Sequence, residues 1–375
     1  MPKFEYDATW PKLPLPNQWI FGEVGGVGND PSNGHIWVIQ RPWTVFGREL
    51  AAVDGSNTCC RPAPSVVEFD TEGTVVQGWP KPVMFHAPQG SPLGQTYGEV
   101  GPGGEDLWQS PDGPYGMWGR REHTVYIDPK GFVWLTIDES HVVYKFTKDG
   151  TWIMTLGVPE NPPRQLGNAR RSNDTTRFGR PTGVAVDPDT NEVFISDGYD
   201  NRRVIVFDGE TGKYLRHWGA YGAKPDDSPM PRYDPKAPPS KQFNTVHGVV
   251  LSRDKLVYVA DRANDRIQVF RQDGTFVKEG IVAPETTDVG SAYGVALSMD
   301  PEQKWVYVNG VDSVRILRRD TMQVVGEFGS QGRFGGQLLS AHSMTVDNKG
   351  NIFIGESRGR RVQKFRLVSG DAGPR

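Results

Sequence analysis

RPTGVAVDPDTNEVFISDGYDNRRVIVFDGETGKYLRHWG, residues 180–219, reads as four short strands. Val, Ile and Phe alternate with smaller or polar residues, and each apolar run is cut by Asp, Pro, Asn or Gly, which close tight turns. Five other segments fall into register with its first half: EVGGVGNDPSNGHIWVIQR from Glu23, REHTVYIDPKGFVWLTID from Arg121, TVHGVVLSRDKLVYVADR from Thr245, SAYGVALSMDPEQKWVYVNG from Ser291 and SAHSMTVDNKGNIFIGES from Ser340. A third strand follows most of them (HVVYKFT, DRIQVFR, RRVQKFR), and a fourth comes after a Gly-containing turn (TWIMTLG, TFVKEG). Four antiparallel strands per unit, spaced about 40–45 residues, define the blades of a propeller. The fold class is therefore all-β, a six-bladed β-propeller, with blades near 23–80, 121–157, 180–219, 245–281, 291–329 and 340–368. The last unit stops after three strands. Trp19 to Gly22 echoes the His217-Trp218-Gly219 of an outermost strand, so a strand near 18–22 is expected to close the ring in the last blade and remove its exposed edge.

Length alone, 375 residues, suggests about two or three domains. The repeat register instead makes 1–375 a single domain. Its 45 Gly and 30 Pro divide between blade turns and long loops. The net charge of −3 favours neither nucleic acid nor an anionic membrane as partner. No apolar run reaches the about 18 residues of a membrane span, and MPKFEYDATWPKLPLP lacks the apolar segment of a secretory signal. As written the chain reads as soluble and cytoplasmic, or periplasmic or secreted if a leader has been removed. Cys59 and Cys60 are neighbours, so they cannot staple distant segments, and an unusual turn is expected there. Nothing in the sequence sets the oligomeric state.

Three long stretches, 86–119, 158–177 and 220–241, join the last strand of one blade to the first of the next. In an antiparallel blade these joints lie on the same face as the end of strand two, so together they should wall one cavity. At the mouth of the first strand, one repeat position holds Gly25, His123, Thr182, His247, Tyr293 and His342 in turn. Histidine occupies alternate blades. With seven histidines in the chain, finding three in one column by chance is on the order of one in ten thousand, so the column demands an explanation. First strands line the central channel, and equivalent positions on alternate blades of six are related by about 120°. Three imidazoles converging there, with outer positions open, match a catalytic zinc site. The plainer alternative has each imidazole satisfied by neighbouring backbone. His35, His86, His141 and His217 fall in turns, loops or outer strands and are expected to play no part.

Strand two ends on the same face. Blade one ends at Arg41, blade three at Tyr199 and blade four at Arg262. Two guanidiniums beside a cation suit a small anionic substrate, since Arg reads a carboxylate bidentately. A phenol beside a divalent metal can serve as a base.

From residue 23 to 367 the units resemble NHL repeats. The combination of HTVYID at His123, SDGYDNRRVIVF at Tyr199, HGVVL followed by VADRANDRIQVF at Arg262, and AHSMTVDNKGNIFIGE at His342 resembles the peptidyl-α-hydroxyglycine α-amidating lyases. The resemblance implies that His123, His247 and His342 hold zinc, or another transition metal. It implies Tyr199 in the place of the catalytic tyrosine, and Arg41 and Arg262 as the arginines that engage the substrate and the base. It implies calcium only weakly. Backbone carbonyls of Val27 and Val125 would contribute to that site, but the family's aspartate after the last zinc histidine is Ser343 here, and the ion loses its only charged ligand. The family's methionine two residues before that histidine is Ser340, and its disulfide cysteines are missing.

The reaction so implied cleaves the carbon–nitrogen bond of a hydroxyglycine-like carbinolamide to an amide and glyoxylate. Two rivals stand beside it. One keeps the metal site for a lyase or hydrolase acting on another small hydroxy acid or amide, with 90–119 shaping a different pocket. The other is a non-catalytic propeller serving as an interaction platform. A calcium-dependent lactonase type fits less well, because imidazoles favour zinc, copper or iron over calcium.

Overall fold

The computed structural model describes residues 1–52, 56, 58–79, 121–159 and 170–369. The stretch 86–119, with 90–119 inside it, lies outside them, as does His86. Among the described residues, six four-stranded antiparallel sheets are present, each ordered from an inner to an outer strand. The innermost strands are Glu23–Asn29, Glu122–Ile127, Pro181–Val186, Val246–Leu251, Gly294–Leu297 and Ala341–Val346, at the places the repeat register predicts. Among the described residues, no helix is long and apolar enough to cross a membrane.

Burial grades across each blade. In blade three every residue of Pro181–Val186 is buried, whereas in the outermost strand Tyr214–Trp218 only Trp218 is buried and Leu215 is exposed. The apolar side chains meet between blades. Phe194, Val204 and Trp218 of blade three pack with Val246, Val257 and Phe270 of blade four in one cluster, and Trp134, Val143 and Leu156 of blade two pack with Val184, Val193 and Ile205 in another. Because each cluster belongs to two blades, the ring is held by its joints. The turns between strands one and two are set by aspartates: Asp128 Oδ1 accepts the Lys130 and Phe132 N–H groups, each at 2.9 Å, and Asp347 Oδ1 does the same for Lys349 and Asn351. Such Asx turns free the following strand to start in register.

Closure corrects one expectation. The strand that completes blade six is Lys3–Asp7, antiparallel to Arg361–Ser369. Trp19–Ile20 instead runs parallel to Arg61–Pro62 beside blade one. Phe4 decides it: its ring lies 4.8 Å from Phe328 and 5.5 Å from Tyr307, filling the wedge between blades five and six. Trp19 packs at the joint of blades six and one. The ring is thus sealed by an N-terminal strand, but one that begins at residue 3. Cys59 and Cys60 are bonded to each other across a cis peptide.

The inner strands of blades one and two touch backbone to backbone. A Cβ at Gly25 would lie 2.5 Å from the Glu122 carbonyl oxygen, and one at Gly28 would lie 2.7 Å from that of Val125. The GGVG run is the sequence signature of that close approach.

Candidate metal centre

Each histidine of the column sits at a break in strand register. The pairing of strands one and two slips between Glu122 and Thr124, between Val246 and Gly248 and between Ala341 and Ser343. The same slip occurs around Gly25 and Thr182. A bulged residue is left out of the ladder and its side chain is re-aimed; here the three imidazoles turn to the axis. Their ring centroids form a near-equilateral triangle of 4.7, 4.8 and 4.9 Å.

The odd-numbered blades supply the complement. His123 Nδ1 lies 2.8 Å from the Thr182 carbonyl oxygen, His247 Nδ1 2.7 Å from that of Tyr293, and His342 Nδ1 2.7 Å from that of Gly25. A carbonyl only accepts, so each Nδ1 carries the proton and each Nε2 presents a lone pair to the axis. The plainer alternative therefore holds for one nitrogen of each ring and not for the other. His342 Nε2 is buried with no partner, and one ligand atom from each ring falls within 4.8 Å of the others. Burial holds all three imidazoles well below the ordinary histidine range. Neighbouring imidazoles add to this at His123 and His247, and the Arg41 guanidinium does so at His342. Neutral, orientated, partly orphaned Nε2 atoms are the donor set of a transition metal. The residues fit such an ion.

Tyr199 stands over the tripod. Its hydroxyl is 3.2 Å from His123 Nε2 and 3.1 Å from His247 Nε2. Arg262 lies with its guanidinium carbon 5.5 Å from the Tyr199 ring centre and 4.8 Å from that of Tyr293, and its buried Nε has no partner. Arg41 is buried; Nε donates to the Glu122 carbonyl at 3.0 Å and Nη1 meets Glu23 at 2.7 Å, while Nη2 is buried without a partner. Both arginines predicted from strand ends thus keep an unpartnered nitrogen. Glu122, pushed up by burial, receives Trp43 Nε1 at 3.1 Å.

Two further arginines escaped the sequence reading. Arg180 and Arg121 place their guanidinium carbons 4.8 and 5.1 Å from the Tyr199 ring centre. Both stand two residues before the histidine column, in blades three and two, and that second column could have found them. Two of the remaining histidines serve other ends: His35 pairs with Glu68 at 2.7 Å, and His217 with Tyr214 at 2.8 Å.

Beyond the tripod, a cavity of about 520 Å³ runs the length of the inner strands to the opposite face. Val27 and Val125 line it, but its one carboxylate among the described residues is Asp187, which is tied to Lys255 at 3.0 Å. Ser343 Oγ is buried without a partner. This donor set does not fit a calcium ion.

The fold and site together define a six-bladed propeller with a three-histidine centre at one mouth of its axis. Comparison with known proteins agrees with the propeller fold. The NHL repeat family matches residues 178–207 and 243–270, in blades three and four. The chain is similar to peptidylglycine alpha-amidating monooxygenase of Rattus norvegicus, 36% identical over 66% of this chain and 23% of that protein, so it matches about a quarter of that relative's length. It is similar to peptidyl-alpha-hydroxyglycine alpha-amidating lyase 1 of Drosophila melanogaster, 26% identical over 66% of this chain and 46% of that one. NHL repeat-containing protein 3 of Homo sapiens is 24% identical over 96% of this chain and 84% of its own length. Among solved structures, virginiamycin B lyase from Staphylococcus aureus has a TM-score of 0.53 at 13% identity, covering 98% of this chain and 100% of that one; the likeness is one of fold.

Proposed function

We propose that the protein is a metal-dependent carbon–nitrogen lyase acting on a hydroxyglycine-like carbinolamide, with Tyr199 as the base and Arg41 and Arg262 holding the substrate carboxylate. The observation that carries this reading is the Tyr199 hydroxyl poised within 3.2 Å of two axial Nε2 atoms, beside two arginines with unpartnered nitrogens. His123, His247 and His342 would hold zinc or another transition metal, which when bound supplies Lewis acidity to a hydroxyl or carboxylate oxygen.

The chain's own residues do the rest. Arg262 and Arg41 fix the carboxylate and so orient the α-carbon. Tyr199 takes the proton from the α-hydroxyl. The freed oxygen pair forms the carbonyl as the carbon–nitrogen bond breaks, and that bond's electrons leave with nitrogen. Proton return to nitrogen completes the amide and releases glyoxylate. Similarity to named amidating enzymes supports the reaction class. Adding a synthetic α-hydroxyglycine derivative to zinc-loaded protein and assaying glyoxylate tests it; release no greater than that of a His247→Ala variant sinks it.

A second reading, the same centre acting on another small hydroxy acid or amide, is favoured by Ser340 and Ser343, which alter the wall beside His342. A panel of hydroxy acids, lactones and amides under the same conditions separates the two. Elemental analysis without a stoichiometric transition metal would favour an interaction platform over both.

A further inference from the structure

The carboxylate that ends the second strand of a blade has a regular partner. In blades three, four and six it is bound by the arginine that opens the third strand of the same blade: Asp197 by Arg203 at 2.9 Å, Asp261 by Arg266 at 2.8 Å and Glu356 by Arg361 at 2.7 Å. Each arginine reaches on to the segment leading into its blade, at the carbonyls of Ser172, Gln242 and Gln337. The three carboxylates are fully buried, and each pair clamps a blade to its own entry.

Blade two departs from this. Its strand pairing puts Ile137 and Val142 where the other blades carry the carboxylate and the arginine, and Asp138, as deeply buried, stands one residue on, at the place of Arg262 and Ser357. Asp138 Oδ2 is met instead by two guanidiniums from outside the strand pair, Arg180 at 3.0 Å and Arg121 at 3.3 Å. These are the two arginines beside the Tyr199 ring. Both have left-handed backbone, with φ of 64° and 71°, which brings their side chains back toward the blade joint. The Arg180 N–H is itself 3.3 Å from His141 Nδ1. A buried carboxylate must be compensated. Without an arginine opening its blade's third strand, that demand is met by groups that touch the phenol.

We propose that Asp138 is a positioning residue: with no arginine opening the third strand of its blade, it holds Arg180 and Arg121 against Tyr199 and so fixes the phenol between His123 and His247. The role deepens the lyase reading and rests on it for its kinetic readout alone.

Three variants of the full chain separate this role from a merely structural one. Asp138→Asn and Glu356→Gln each remove a fully buried, arginine-paired carboxylate, from two different blades. His141→Arg puts a guanidinium at the residue whose N–H meets the Asp138 carbonyl at 3.0 Å, and is expected to draw the carboxylate away while keeping its charge paired. With 3-fluorotyrosine at position 199, the ¹⁹F resonance reports the surroundings of the ring, with and without added Zn²⁺. The resonance is expected to move in Asp138→Asn and His141→Arg and to stay in Glu356→Gln. Glyoxylate release should fall about a hundredfold in kcat, with little change in KM, in the first two; Glu356→Gln should lower the melting temperature only. An unmoved resonance in His141→Arg, or kcat losses in all three that track the unfolded fraction, overturns the proposal. Moved resonances with no glyoxylate from the parent chain overturn the lyase reading and leave the positioning role standing.

Discussion

Blades two, four and six share their four strands with blades one, three and five, and their bulge with blades one and three, yet the two sets put different atoms at the axis. The even blades offer an imidazole. The odd ones offer a carbonyl, from Gly25, Thr182 and Tyr293, that accepts the Nδ1 proton of the preceding even blade's ring. A sixfold scaffold has become a threefold centre by assigning ligands to one set and orienting groups to the other. The register slip is found in both sets, in blades one and three as in two, four and six. The division is made by side-chain choice alone, and an orienting group that is a carbonyl costs no side chain at all.

The comparison breaks most completely at an even blade. His247→Ala is expected to abolish stoichiometric metal binding and glyoxylate release together, exceeding the about 10–100-fold that loss of an orienting partner costs; inductively coupled plasma analysis and the glyoxylate assay read it. At an odd blade, Gly25→Ala forces a Cβ to within 2.5 Å of the Glu122 carbonyl, so the strand must shift and take its carbonyl away from His342. Zinc affinity by competition titration should fall about 10–100-fold, with about 1–3 kcal/mol of stability lost in urea melts. Unchanged affinity in Gly25→Ala would mean that the odd blades orient nothing.

Thr182 sharpens the same point by separating backbone from side chain. Its hydroxyl bonds the Val246 carbonyl at 2.7 Å and Ser196 Oγ at 2.8 Å, while its own carbonyl serves His123. Thr182→Val should cost about 1–2 kcal/mol of stability and leave zinc affinity within error of the parent. A large drop in affinity would shift the orienting role from the carbonyl to the hydroxyl.

These assignments also mark what a sequence can carry. The blades and the tripod were legible because repeat register converts position into angle around an axis. Tyr199, Arg41 and Arg262 were legible because strand ends fall on a known face. The carbonyl partners had no signature, since every residue has a carbonyl; at Gly25 only the glycine-rich run hints at close approach. Arg121 and Arg180 were missed because their placement depends on Asp138, which stands one residue beyond the carboxylate position of the other blades, an offset visible only in the pairing of Ile137 with Val142 against that of Asp197 with Arg203. The closing strand was misplaced because the Trp-x-Gly echo near residue 19 is a local likeness. The pairing of Lys3–Asp7 is decided instead by Phe4 meeting residues more than 300 positions away.

The smallest effect concerns how one odd blade is held. Tyr293, whose carbonyl orients His247, follows Ser291, and the Ser291 N–H donates to Asp265 Oδ1 of blade four at 2.6 Å. Burial pushes this carboxyl up to about 6, with Glu285 adding to the rise and the bonds to Ser291 and Tyr233 opposing it. Its folded pKa therefore lies above its unfolded value, so folding favours the protonated form. The stabilisation is full below about pH 4 and is lost as pH rises through about 6, on the order of 1 kcal/mol. Asp265→Asn keeps an oxygen acceptor for Ser291 and cannot ionise. In urea melts at pH 4.5 and pH 7.5, the variant should gain on the parent at the higher pH, other groups titrating alike in both. A stability difference that does not change with pH would show that Asp265 is ionised throughout, and that the anchor of blade five is charged rather than neutral.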